Sequence, residues 1–234
     1  MEKEYRKLTE EQIKKTCEAH EKWLASGGKE GERADFQNAD LRNARLEGVN
    51  LEKAKLNDAR LNGAFLNFAS LKEASLERAD LRFVRAMNAT FDGASMKYAD
   101  FRGARLTSST FEDAVLSDAN FENAKLGHVN FTGASLGAAS FAGADIGGCH
   151  FREAFIGGVK WTSIANADFD DKQIKEFAYQ LCWAALASSD TSEYVKDEIR
   201  KIVRLANCSS SAKEWGRVKE WKNKKYVTAK EAER

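Results

Sequence analysis

The hydrophobic pattern of this chain has a period of five. From Phe36 to Trp161 every fifth residue is Leu, Phe, Met, Ile or Trp, with Ala86 the single exception. Two places before each stands a small residue: alanine at 20 of 26 positions, otherwise Val49, Val84, Ser109, Val129, Cys149 or Val159. The register never slips, and it matches neither the roughly 3.6-residue period of an amphipathic helix nor the alternation of a half-buried strand. Residues two apart on an extended segment point to one side, so the small and the large residue both face inward. The next inward pair arrives five residues later, and the chain must turn between them. Repetition of a short strand and a turn predicts a solenoid, its axis filled by Leu and Phe and its corners lined by alanine. Gly or Asn often stands two residues after the large one, as at Asn38, Asn43, Gly48 and Gly63, where a turn tolerates positive φ.

A second period sharpens the prediction. From Phe91 to Phe151 a phenylalanine recurs every ten residues, with Met, Leu or Ile midway between. A four-sided coil would stack these rings along two opposite walls and the aliphatic side chains along the other two. The stretches "ADLRNARLEGVNLEKAKLNDARL" and "ADFRGARLTSSTFEDAVLSDANF" resemble the A(D/N)LXX motif of the pentapeptide-repeat family, over residues 34–162. The resemblance implies an all-β solenoid, specifically a right-handed quadrilateral β-helix of pentapeptide repeats. At about twenty residues per coil it would run for about six and a half coils, or roughly 30 Å at the usual interstrand spacing.

The flanks predict helices, giving three regions: an N-terminal capping helix region (1–32), the pentapeptide-repeat β-helix (33–164), and a C-terminal α-helical cap with a basic tail (165–234). Open strand edges at the ends of a β-helix invite aggregation unless covered. Thr9 and Gln12 have capping-box spacing, Ile13, Thr16, Cys17, His20 and Leu24 share one helical face, and Gly27 and Gly28 follow. Beyond Trp161 the apolar spacing becomes helical at Ile174, Phe177, Leu181 and Cys182, and again at Val195, Ile199, Ile202 and Val203. This helical pair is expected either to cap the rod or to pair two chains as a homodimer. The tail, with Trp215, Trp221 and Tyr226, mixes eight basic with four acidic residues and is expected to be a solvated or loosely docked helix.

Charge and composition narrow the function. The 37 basic and 36 acidic residues nearly cancel, so there is no global field to draw nucleic acid, and direct nucleic-acid binding is not expected. No apolar run approaches the roughly 18 residues of a membrane span, and "MEKEYRKLTEEQ" lacks a secretion signal, so a cytoplasmic location is expected. Cys17, Cys149, Cys182 and Cys208 form no CxxC pair, which favours packed thiols over a metal site or disulfides. Proline is absent, as expected of a backbone whose N–H groups are nearly all committed.

Candidate chemistry is sparse. His128 and His150 occupy outward repeat positions and His20 lies on the N-terminal helix; all three read as solvent-exposed substitutions. Cys149 fills an inward slot, and Asp35, Asp40, Asp80, Asp100 and Asp145 recur as part of the repeat itself. No phosphate-binding glycine loop is present. No catalytic residue, metal ligand or cofactor is therefore expected.

Function is expected on the outer surface. With twenty residues per coil, Arg45, Phe65, Arg85, Arg105 and Lys125 form one stripe, while Glu52, Asp92 and Glu112 make a wall of opposite sign, so the rod should be bipolar across its width. The stretch 64–87 is disturbed: the axis loses bulk at Ala86, and Val84 in the small slot returns part of it. Phe65, Phe68, Phe83 and Met87 stand where other repeats carry polar residues. With Arg85 and Arg105 they are the candidate protein-binding residues. The expectation is a non-catalytic rigid scaffold for protein–protein interaction. The resemblance implies one alternative, a DNA-mimicking modulator or protector of a type II topoisomerase (DNA gyrase). The 16 basic and 16 acidic residues between Arg33 and Lys160, with no loop inserted between coils, depart from that pattern.

Overall fold

A computed structural model describes residues 4–161 and 167–170. One compact unit ends at Asp168 and a second begins at Phe169. The predicted C-terminal helices and basic tail lie outside the described residues. In chain order the elements are β1 (Arg6–Lys7), α1 (Glu10–Ala25), β2 (Ala39–Asp40), β3 (Ser140–Phe141) and β4 (Lys160–Trp161).

Between β2 and β4 the chain winds in a regular coil. Four parallel ladders begin at Asp35, Asp40, Arg45 and Asn50 and join residues twenty apart, as in Arg60↔Asp80↔Asp100, except at the last rung, His150↔Asp168. The cross-section is therefore four-sided, with faces one to four taken in that order. β3 and β4 are one such rung, Ser140 opposite Lys160 and Phe141 opposite Trp161.

The repeat 79–83 explains the motif. The N–H of Ala79 closes a turn on the Leu76 carbonyl, Asp80 donates to Ala59 of the coil before, and Leu81 and Phe83 donate to Asp100 and Arg102 of the coil after. The fifth N–H, of Arg82, goes to the Asp80 side chain. Asp35, Asp100 and Asp145 cap the N–H two residues on in the same way, as do Asn50, Asn120 and Asn130. Asp or Asn before the large residue is thus a backbone cap. Every corner from Asn38 to Gly158 has positive φ, and seventeen of those residues are not glycine.

The inward slots build the core. The large residues from Phe36 to Ile156 are buried, and the phenylalanines stack as the ten-residue period predicts. Rings twenty apart lie face to face, with centroids 4.7 Å apart for Phe91–Phe111 and 4.8 Å for Phe101–Phe121. Rings ten apart meet edge to face across the axis, at 5.8 Å for Phe101–Phe111. Ala86 and Val84 are both fully buried, side by side beneath the third face. Val84→Ala or Ala86→Leu alone should each cost about 1–3 kcal/mol, by cavity and by overpacking respectively. Together they should cost less than either, because the pair restores the usual small–large order. Urea melts of all four proteins test this coupling, and additive costs would show that the two side chains do not share one space.

The N-terminal segment closes onto the first coil. β1 runs parallel to β2, pairing Arg6 with Ala39 and Lys7 with Asp40. α1 starts in a reciprocal box: the Gln12 N–H donates to Thr9 Oγ1, and the Thr9 N–H donates to Gln12 Oε1. It ends in glycines at positive φ, Gly27 and Gly28. Gly31 lets the chain cross back over the helix, since a Cβ there would lie 2.2 Å from the Ala19 carbonyl oxygen.

His20 corrects the sequence-based expectation. It is fully buried, stacked on Trp23, and both ring nitrogens are engaged. Nδ1 accepts from the Ala34 N–H at 3.1 Å, which leaves Nε2 to donate to the Glu52 carbonyl at 3.0 Å. Burial lowers its pKa below the ordinary histidine value, Arg33 adds to the shift, and the Glu52 carbonyl, Glu52 and Glu21 oppose it. The folded state therefore binds the His20 proton less readily than the unfolded chain. This contribution is intact above about pH 6.5 and falls as the pH drops towards the folded value. Stability should decline between pH 7.5 and 5.5, no more steeply than about 1.4 kcal/mol per pH unit for one proton. Urea melts across that range should show the slope in the parent and lose it in His20→Gln. The same slope in both would exclude His20 as its origin.

Candidate protein-interaction surface

The six candidate residues converge. Phe65, Arg85 and Arg105 lie on the third face in consecutive coils, Phe68 and Met87 stand at the corner it shares with the fourth, and Phe83 at the corner it shares with the second. The Arg85 guanidinium lies over the Phe65 ring, 5.2 Å from its centroid. The Phe68 N–H donates to the Met87 carbonyl at 3.0 Å, which brings those two side chains to neighbouring coils. Phe83 rests on Gly103, where a Cβ would come within 2.7 Å of two ring carbons.

Two of these side chains are costly where they stand. Phe68 and Phe83 have φ of 62° and 57°, yet they are 69% and 65% exposed. A bulky residue in the left-handed region costs roughly 1–2 kcal/mol relative to the usual backbone. Burying the remaining third of a ring returns about as much. Folding alone gives no reason to prefer phenylalanine to asparagine or glycine at either corner.

The cations of this face are equally unusual. Rungs place Arg85 next to Arg105, and Arg105 next to Lys125, about 4.8 Å apart along the rod. Among the described residues, none of Arg45, Arg85, Arg105 and Lys125 has an ion-pair partner. The second face differs: Arg42, Arg82 and Arg102 clamp Asp40, Asp80 and Asp100 with two-pronged hydrogen bonds. Hydrogen bonds from Arg42 hold the Asp40 carboxyl below its ordinary range. The acidic wall of Glu52, Asp92 and Glu112 lies at the far corner of the fourth face. These residues open the turns that lead from the fourth face to the first, so the width of the fourth face separates them from the basic stripe.

Sequence patterning missed other surface features. Val115 and Phe155 are exposed on the first face and Tyr98 at its corner with the second, with Phe155 lying over Gly137 and Gly157. The signal that marks the third face, a large apolar residue outside the inward slots, finds these too. Beside β1 a polar cleft of about 740 Å³ is lined by Tyr5, Arg6, Lys7, Asp40, Arg42 and Arg60, with the Arg60 guanidinium over the Tyr5 ring.

Among the described residues no catalytic groups are assembled. Burial pushes the Cys17 thiol up to about 11 and the Cys149 thiol up to about 12, so neither is a nucleophile at neutral pH. Cys149 Sγ donates to the Leu126 carbonyl. His128 and His150 are exposed, and His150 Nδ1 lies 3.3 Å from Asp168. Among the described residues no three His, Cys, Asp or Glu side chains are grouped to hold a metal ion, and no helix is long and apolar enough to cross a membrane.

Comparison with known proteins follows the same boundaries. A family model described as a pentapeptide repeat region matches residues 84–161, and one described as pentapeptide repeats (eight copies) matches 32–67 and 50–84. Among solved structures, the chain is similar to HetL, a pentapeptide repeat protein involved in heterocyst differentiation regulation from the cyanobacterium Nostoc sp. strain PCC 7120. The identity is 32% and the TM-score 0.55, over 58% of this chain and 62% of HetL. Less similar are Rfr23 of the cyanobacterium Cyanothece 51142 (21% identity, TM-score 0.32, 37% of this chain and 60% of that one) and QnrB1, a plasmid-mediated fluoroquinolone resistance protein (20%, 0.36, 64% and 86%). No curated protein matches significantly.

Proposed function

Because this chain belongs to the pentapeptide-repeat family, whose matched stretches together run from residue 32 to 161, we propose that it acts as a non-catalytic, rigid scaffold for a protein partner. The third face is its docking surface. We take the coil to be right-handed, the hand that parallel crossovers adopt in nearly all sheets. The observation that carries the reading is the pair Phe68 and Phe83, held in left-handed backbone and exposed to solvent. Aromatic and arginine side chains are the usual anchors of interfaces, and their cost here is repaid only if something covers them. The even charge of the outer wall argues against imitation of a DNA duplex, whose backbone is uniformly acidic.

The test is retention of a partner. Phe65→Ser/Phe68→Ser/Phe83→Ser should keep the melting transition of the parent, since no fully buried ring is removed. Its capture of a partner from lysate of the source organism should fall about thirtyfold or more, the equivalent of one lost hot spot. Unchanged retention by a folded variant would refute the assignment.

A further inference from the structure

We infer that the third face takes a short acidic polypeptide segment with a large apolar residue at one end, an assignment that rests on the docking-face reading above. The outward positions of this face from Phe65 to His128 include no aspartate or glutamate, although the chain as a whole is almost neutral. They include Arg85, Arg105 and Lys125 on successive rungs. Like charges directly opposite each other destabilise a sheet, and among the described residues neither Arg85 nor Arg105 meets a carboxylate across a rung, Asp145 standing opposite Lys125 alone. A ligand that brings carboxylates to this column relieves that repulsion and gains bidentate guanidinium contacts.

The borders of the strip restrict what can lie on it. On one side the arginines of the second face are already engaged by Asp80 and Asp100. On the other, the fourth face ends in Asp92, Glu112 and Asp113 at its far corner, which repel an acidic ligand that strays across it. Glu47 and Asp145 mark the two ends of the column. An acidic ligand is therefore held lengthwise on one face.

The strip also has direction. Phe65, Phe68 and Met87 occupy its N-terminal end, and the cations continue from there to Lys125. The distance from Phe65 to Lys125 is three rungs, roughly 14 Å. An extended chain covers that with about four or five residues. A short linear segment fits: an apolar side chain on the aromatic end, then carboxylates along the column. A nucleic acid strand would use the cations but would bring its further phosphates against the acidic border.

The probe is a random dodecapeptide display library panned on the immobilised full-length protein. Selected peptides should be enriched in Asp and Glu beside a large apolar residue. A synthetic copy should bind about tenfold or more weakly to Arg85→Gln/Arg105→Gln, and binding should survive in the charge-preserving Arg85→Lys/Arg105→Lys protein. Thermal melts of both variants check that the fold is kept. Apolar peptides without acid, indifferent to Arg85→Gln/Arg105→Gln but lost with Phe68→Ser/Phe83→Ser, would overturn the acidic partner and leave the docking face standing. Peptides indifferent to both sets of substitutions would overturn both. Single-stranded oligothymidylate bound more tightly than any selected peptide, through the same arginines, would overturn the polypeptide assignment in favour of nucleic acid.

Discussion

Replacing Phe111 by alanine should cost about 3–5 kcal/mol of folding stability. The ring is fully buried and has four aromatic neighbours. It stacks on Phe91 at 4.7 Å and Phe131 at 5.2 Å, and meets Phe101 and Phe121 edge to face at 5.8 and 6.1 Å. The hole cannot close easily, because the backbone around it is pinned: Phe111 donates to Asn130 in the next coil, and Asn130 donates back to Ser109. Phe111→Leu should cost less, since the same face already carries Leu51 and Leu71 in this slot. Urea melts of the three proteins measure the difference. A loss below about 1 kcal/mol for the alanine variant would mean that the ring column is not a packed unit. Phe68 makes the internal comparison: a ring of the same size, two-thirds exposed, whose removal should leave the melt nearly unchanged.

Proline should divide the repeat position by position. Ser95→Pro deletes the bond from the Ser95 N–H to the Ala74 carbonyl, 2.9 Å long, in the middle of the first face. It should cost about 3 kcal/mol or more, as proline does inside a ladder. Thr107→Pro should behave differently. Thr107 is the second residue of a turn closed by the Ser109 N–H on the Leu106 carbonyl, a position that favours proline. Its own N–H has no partner among the described residues, and its carbonyl, which accepts from Asn88, is kept. Restricting the unfolded chain should then make the variant neutral or more stable by about 0.4–1 kcal/mol. Equal damage from both substitutions, seen in thermal melts, would contradict this division. Four committed N–H groups in every five explain most of the absence of proline.

The period of five makes the core legible in the sequence itself, because an inward slot is filled according to size alone. Ala86 and Val84 break that rule in adjacent slots, and both are buried. The corners are legible only where they carry Gly or Asn. Lys53, Arg78, Phe68 and Phe83 also adopt positive φ, because bonds to the coils on either side impose the turn whatever residue occupies it. Helical periodicity places His20 with Ile13, Cys17 and Leu24 but does not reveal its partners. Ala34 and Glu52 are 14 and 32 residues away, beyond any local pattern. The candidate site is legible as a column, since a twenty-residue coil brings Phe65, Arg85 and Arg105 together. The seat of Phe83 on Gly103 requires the additional fact that one corner side chain leans over the next.

The twenty-residue rungs also make the core and the surface count differently. Five residues inserted at a corner would leave every inward slot filled, and the core would continue unbroken. The same insertion would turn everything downstream by one face. Placed between Arg85 and Arg105, it would carry Arg105 and Lys125 off the column to the next face, though every repeat remained intact. Only an insertion of twenty preserves both. Such a chain can grow by fives as a fold, but a partner that reads several coils at once obliges it to grow by whole coils.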